Sequence, residues 1–418
     1  MINESNQPKE SDAVLGGKAP PPVQGAILGG IEGVKNRLSS PILEARVSAL
    51  QEAMNYGETG LDLIIGALES KFRKVRRAAV QLLQQRDEPS AKLSLYNYKF
   101  WSSFERLNGL PPSHATSFAN RKVIEFDPSV GITDTIGTAY ALRVHRRQPD
   151  MNITDKLQIF LQDSRTNEVE ALVVGNWFNG TGEYSSLFIV NALVDACEEL
   201  TNLKALFIGD IEDSEDMISS IEQSNISLIF VAYPNLEVLK IRGDRYRGPY
   251  NGGLEIEPLR HDKLKALIVE SGGLRHEVVS QICNLELPAL EYLELWLGRD
   301  DYGGSSSISD LMPILSGVFP KLKYLGLRNS EYSDDIAFAI VNSPIIKHLI
   351  ELDLSMGNLG DEGAEALLNC PAVNQLDTLN VSNNCLTRAM LSRLQDLEIE
   401  TIAIPQKQYT WRYCSVAE

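Results

Sequence analysis

LEYLEL, residues 290–295, carries the pattern that decides the fold: leucine at its first, fourth and sixth places. The same phrase recurs on either side. Upstream it reads LKALFI from Leu203, LEVLKI from Leu236 and LKALIV from Leu264. Downstream it reads LKYLGL from Leu322, LIELDL from Leu349 and LDTLNV from Leu376, with looser copies at VEALVV from Val169 and IETIAI from Ile399. First positions fall 23 to 34 residues apart, which is the period of a leucine-rich-repeat solenoid. Apolar residues at the fourth and sixth places predict a short strand with one face buried. The stretches between carry helical spacing: MISSI (217–221), EVVSQI (277–282), ISDLMPIL (308–315) and DDIAFAIV (334–341). GDEGAEALL (360–368) opens with acidic residues, as the first turn of a helix favours. Strand then helix, repeated, predicts an α/β solenoid with parallel strands on a concave side and helices on a convex one. No unit buries its own leucines; stacking closes the core. A doubly wound sheet also alternates strands and helices, but it does not repeat one phrase nine times.

Charge divides the 418 residues unevenly. Residues 1–150 hold 19 Lys and Arg against 16 Asp and Glu, a net +3. Residues 151–418 hold 20 against 40, a net −20. So acidic a surface repels nucleic acid and anionic membranes, and it steers a basic protein partner inward. The five cysteines are scattered with no CxxC pair, which fits thiols in a reducing cytoplasm. No apolar segment resembles a secretory signal or reaches bilayer-spanning length. A cytoplasmic location is expected.

Outward from the repeats, residues 1–28 are rich in Gly and Pro and read as a flexible tail. Residues 29–90 change to helical period. Leu43, Val47, Leu50 and Met54 mark one helix, Leu61, Ile64, Ile65 and Leu68 a second, and Val75, Ala79, Leu82 and Leu83 a third. KFRKVRRAAVQLL (71–83) resembles the second helix of a HEAT repeat, which makes this a small all-α HEAT-like domain. Residues 91–167 read as a connector and N-terminal cap. KFWSSFERL (99–107) has amphipathic helical spacing, and TAYALRVHRR (138–147) alternates like a strand. Residues 168–418 are the solenoid, and Tyr409, Trp411 and Tyr413 stand where they would close its last edge.

Beyond the repeat, longer strings resemble a bacterial family of intracellular leucine-rich-repeat proteins of the ribonuclease-inhibitor-like type. They include FIGDIED (207–213), PNLEVLKIRG (234–243), ESGGLR (270–275), LPALEYLELWLGRDDYGG (287–304), LKYLGLRNSEYSDDIA (322–337) and LDLSMGNLGDEGAEALL (352–368). The resemblance covers about residues 120–418. It implies a solenoid inside the cell and no particular activity. After the GDIED string the family pattern is Glu-rich with a Trp; here Met217 and Ser220 depart from it.

Third, fifth and seventh positions of each phrase should face the concave side. They place Lys240, Arg242, Glu270, Tyr292, Glu294, Trp296, Tyr324, Arg328 and Asp353 on one surface. Adjacent strands lie about 4.8 Å apart, so Arg242 can meet Glu270, and Trp296 stands between Glu270 and Arg328. An exposed aromatic flanked by arginines has the composition of an interface hot spot. The same residues also compose a self-satisfied ladder, with Arg242 on Glu270 and Arg328 stacked on Trp296. The hot-spot reading requires Trp296 to be exposed.

Other chemistry finds little footing. The acidic clusters at residues 210–216 and 300–301 lack the spacing of a calcium loop. The five histidines form no HExxH pair, and neither a phosphate loop nor a GxSxG occurs. The sequence therefore points to a non-enzymatic protein-binding scaffold without cofactor, working through its concave sheet. The alternative is an accessory factor whose HEAT-like part positions a client for modification, as helical-repeat chromophore lyases do.

Overall fold

The computed structural model describes residues 30–70, 72–96, 98, 112–144, 151–177, 185–246, 252–407 and 412–416. The chain forms two compact units, Met1–Lys99 and Phe100–Glu418. The N-terminal tail, the whole 99–107 segment and the 408–411 aromatics fall outside the described residues.

The first unit is helical: α1 (Gly30–Leu38), α2 (Leu43–Ala53), α3 (Gly57–Gly66), α4 (Arg73–Leu83) and α5 (Pro89–Tyr96). Leu50, Leu61, Ile64, Val75, Ala79 and Leu83 are its buried stripe, at the spacing expected of one helical face each. Gly60 lets α3 close on the end of α2, since a Cβ there would stand 1.9 Å from Ala53 O. Arg76 Nη1 donates to Ser70 O at 2.8 Å, tying α4 to the break before it.

The second unit is built on one sheet. Its strands are β1 (Ser117–Phe118), β2 (Arg121–Glu125), β3 (Thr138–Leu142), β4 (Ala171–Val174), β5 (Ala205–Ile208) and β6 (Val238–Arg242). They continue as β7 (Ala266–Glu270), β8 (Tyr292–Gly298), β9 (Tyr324–Ser330), β10 (Glu351–Asp353), β11 (Thr378–Asn380) and β12 (Glu400–Ile402). Among the described residues these 12 strands pair in strict chain order. β1 and β2 are antiparallel, joined by Ala119 and Asn120, both at positive φ as a two-residue hairpin turn requires. Every later pairing is parallel, so the sheet begins at Ser117.

Helices return the chain between strands: α6 (Ile153–Leu161), α7 (Leu187–Asp195), α8 (Ser227–Ala232), α9 (His276–Cys283), α10 (Ile308–Leu315), α11 (Ser333–Val341), α12 (Asp361–Leu368) and α13 (Arg388–Gln395). The result is a solenoid-like α/β fold with a mostly parallel sheet. The register stacks Leu206, Leu239, Leu267, Leu293, Leu325, Leu352 and Leu379 in one continuous column. All seven are fully buried, on the side where the helices pack. Third- and fifth-position side chains, Phe207, Val238, Tyr292 and Tyr324 among them, form a second apolar cluster on the helix-free face, joined there by Phe118. Two local expectations change. Residues 217–221 make only a single 3-10 turn, Ile218–Ser220, with Met217 exposed. β3 does not alternate between core and solvent: all five of its residues are buried, because both faces of the sheet are covered there. No described helix is long and apolar enough to cross a membrane.

Candidate functional site

On the helix-free face, the phrase positions bring the expected residues together, but as a buried network. Arg242 Nε donates to Glu270 Oε2 at 2.8 Å, and Lys240 Nζ lies 2.7 Å from Glu270 Oε1. Lys240 and Arg242 both stand over the Phe207 ring, at 4.7 and 5.3 Å. Two strands on, Glu294 gathers four donors. Tyr292 Oη (2.5 Å) and Tyr324 Oη (3.1 Å) donate to its Oε2, while Trp296 Nε1 (2.8 Å) and Arg328 Nη1 (2.7 Å) donate to its Oε1. The rings of Tyr292 and Tyr324 stack at 3.9 Å, and the Arg328 guanidinium lies 5.3 Å from the centre of the Trp296 ring. Arg328 Nε reaches Ser355 Oγ at 3.0 Å and lies 3.6 Å from Asp353, which Asn380 also meets.

The exposure expected of Trp296 is therefore corrected: its exposure is 0%. Lys240, Arg242, Glu270, Tyr292, Glu294, Tyr324, Arg328 and Asp353 are buried with it. The cause is mutual covering. Long side chains from adjacent strands satisfy one another's charges and lie over one another's rings. Residues 414–416 add to this: Val416 N donates to Asn329 Oδ1, Ser415 N to Met356 O, and Cys414 Sγ to Gly298 O. Arg328, which lies over the Trp296 ring, also reaches Met356 Sδ at 2.9 Å, and Met356 O accepts from Ser415 N. Burial pushes the Glu270 carboxyl up, yet the charges of Lys240 and Arg242 outweigh it and hold it below its ordinary value. Burial likewise disfavours charge on Arg328, but Glu294 and Asp353 reverse the balance and hold it charged.

A second segment crosses the face near its other end. Residues 112–116 run as an extended strap into β1. Asp213 N donates to Pro112 O (2.9 Å), Arg242 Nη1 to Ser113 O (3.3 Å) and Arg143 Nη2 to Ala115 O (3.0 Å), while Ala115 N donates to Asp210 Oδ1 (2.8 Å). His114 Nε2 lies 2.8 Å from Glu215 Oε2. Burial favours the neutral His114 ring, but that bond and the nearby Asp210 raise its pKa overall, while Arg143 opposes them.

Beside the strap the face holds a small hollow of about 30 Å3. Ala115, Ser117 and Phe118 wall it, over Phe207, Lys240, Ile268, Glu270, Tyr292 and Glu294. Of the nine expected site residues, Lys240, Glu270, Tyr292 and Glu294 line this space. Arg242, Trp296, Tyr324, Arg328 and Asp353 lie outside its lining, within the buried ladder. Phe207 and Ile268 were on the expected face by position, yet their apolar side chains gave no reason to single them out. Phe118 and Ala115 carry no repeat phrase, and no signal in the sequence brings them here. Both lining carboxylates accept from buried cations, so the hollow offers apolar walls and an ammonium rather than a free base. Ile268 alone among the fifth-position residues of β5 to β11 is not fully buried. No cluster of three or more His, Cys, Asp and Glu could hold a metal ion among the described residues. In the acidic stretches, Asp210 is engaged by Arg143, and Asp301 pairs with Arg299.

Sheet, column and covered face define a repeat-like α/β solenoid protein. The chain is 30% identical to a protein from Bacteroides fragilis of known crystal structure, over 65% of this chain and 76% of that one, with a TM-score of 0.60. It belongs to the same family as that protein. A crystal structure of a TLR13–ssRNA13 complex matches 66% of this chain and 34% of its own at 14% identity and a TM-score of 0.32, a likeness that carries no argument. No protein-family model and no curated protein matches the chain.

Proposed function

We propose that this protein is a non-enzymatic, cytoplasmic leucine-rich-repeat scaffold, with a HEAT-like helical unit before the solenoid, that holds a protein partner on its concave sheet. The hollow carries this reading. On that face Ala115, Phe118, Phe207, Ile268 and the Lys240–Glu270 pair line a space. Its volume, about 30 Å3, admits the tip of one inserted side chain. The net −20 of residues 151–418 favours a basic partner and disfavours nucleic acid. The HEAT-like reading draws support from α4, whose Val75 and Ala79 are buried while Arg76 bonds back to Ser70.

Ile268→Arg tests the site, because it fills the hollow with a charge from the least buried floor position. The tagged full chain is purified from its native cell with and without the change. A stoichiometric partner should co-purify with the wild type and fall about tenfold or more with the variant, with melting temperatures within a few degrees. Equal recovery of the partner by both chains would remove the hollow as the binding site.

A further inference from the structure

The contacts of residues 112–116 have a common character: they read peptide backbone. Two main-chain carbonyls accept from arginine side chains, one accepts from the Asp213 amide, and one main-chain amide donates to a carboxylate. Only His114 is held through its side-chain charge. A groove that grips carbonyl and amide groups is indifferent to most side chains, which is how extended peptides are bound generally. The fit of the strap is also incomplete. Arg242 is 0% exposed, and its Nη2 has no hydrogen-bond partner among the described residues. An unmet donor on a buried guanidinium is costly, and native structures rarely leave one. Nη1 of the same group bonds Ile211 O at 2.6 Å and reaches Ser113 O at 3.3 Å, so residue 113 lies at the edge of the guanidinium that carries the unmet donor. A carboxylate there could accept from it with charge-assisted geometry.

We propose that the side chains Arg143, Asp210 and Arg242 form a peptide-backbone groove, that residues 112–116 occupy it in cis, and that an extended partner segment bearing an acidic side chain displaces them. The inference rests on the reading of this face as a protein-binding surface, and it names the local chemistry of the bound segment. The overall acidity favours a basic partner, whereas this groove asks for one acidic residue set opposite Arg242. The strap has the advantage of high effective concentration, so a free peptide competes poorly until the strap is loosened.

The test uses the full chain and a labelled peptide of residues 112–118, Pro-Ser-His-Ala-Thr-Ser-Phe. The double variant His114→Gln, Ala115→Pro loosens the strap, since proline cannot donate to Asp210. This variant should bind the peptide about tenfold or more tighter than the wild type does. A peptide with Asp in place of Ser113 should bind about tenfold tighter again, and Arg242→Met should abolish that gain. A cooperatively folded variant that binds no better than the wild type overturns the groove, and no gain from the Asp peptide overturns its acidic occupant. Hydrogen exchange on the unaltered chain decides the matter even if the variant fails to fold. The Ala115 amide should exchange about a hundredfold or more faster than the Leu239 amide in β6. If the two exchange equally slowly, the strap opens only on global unfolding and the inference fails. Such a failure would leave capture through Ile268 untouched.

Discussion

Glu294 shows how one carboxylate can convert a face of apparent binding residues into structure. Its two oxygens accept from Tyr292, Tyr324, Trp296 and Arg328, all buried. Trp296 is thus fixed at both ends, its indole nitrogen by Glu294 and its ring by Arg328. Truncating it should cost about 3–5 kcal/mol, read as a lower denaturant midpoint of the full chain. A Trp296→Ala protein with wild-type stability would mean the ring is not core. Glu270 supplies a pH-dependent counterpart. Its folded-state pKa is depressed, because Lys240 and Arg242 outweigh burial. The stability from its ionised form is present above the unfolded value, about 4.3, and is lost as pH falls through the folded one. Lys240→Met removes one of the two cations, so burial counts for more and the folded pKa rises. The midpoint of acid unfolding should move to higher pH in that variant, and an unchanged midpoint would contradict the assignment.

At the scale of elements, the glycines after β7 and β8 decide how neighbouring turns meet. Gly298 has φ +67°, and a Cβ on it would stand 1.9 Å from Gly272 O. Backbone faces backbone here, and an isolated bridge joins Gly273 to Gly298. Gly303 also has positive φ, +93°, but nothing lies within 4 Å of a Cβ there. Gly303→Ala should therefore cost only the conformational penalty, about 1–3 kcal/mol, while Gly298→Ala adds a clash that must move a strand end. Thermal melts should rank Gly298→Ala well below Gly303→Ala; the reverse order would remove the close approach. These glycines sit in two of the strings that resemble a known family, ESGGLR and LWLGRDDYGG. Strands and most helices were legible because burial on the helix side imposes a fixed phrase at each turn. Residues 277–282, 308–315 and 334–341 all fall within helices, whereas residues 217–221, with as large an apolar share as 277–282, make a single 3-10 turn. The site was only half legible. Position in the phrase placed Lys240, Glu270, Tyr292 and Glu294 beside the hollow, but a hot spot and a self-satisfied ladder have the same composition. What separates them is covering by residues 112–118 and 412–416, which carry no periodic signal.

Over the whole second unit, stability is shared along a line. The leucine column runs unbroken from Leu206 to Leu379, and each member touches its neighbours in the next turns. In such arrays each repeat is stabilised through its nearest neighbours, so a central defect weakens two interfaces at once. Leu293 is central and fully buried, and Leu293→Ala should cost about 2–5 kcal/mol. The column then ends on a mismatch. Leu379 pairs in register with Thr401 of β12, whose hydroxyl is buried without a hydrogen-bond partner among the described residues. A threonine there leaves a polar group dry where every earlier turn supplies a methyl. Thr401→Val keeps the branched shape and removes the orphaned hydroxyl, so it should stabilise the last turn by about 1 kcal/mol. The two changes make a directional pair for chemical denaturation: Leu293→Ala lowers the midpoint and Thr401→Val raises it. They lie several turns apart, so their effects should add in the double variant. A Thr401→Val chain that is less stable than the wild type would show that the hydroxyl has a partner after all, and that the column ends in a capped turn instead of an unsatisfied one.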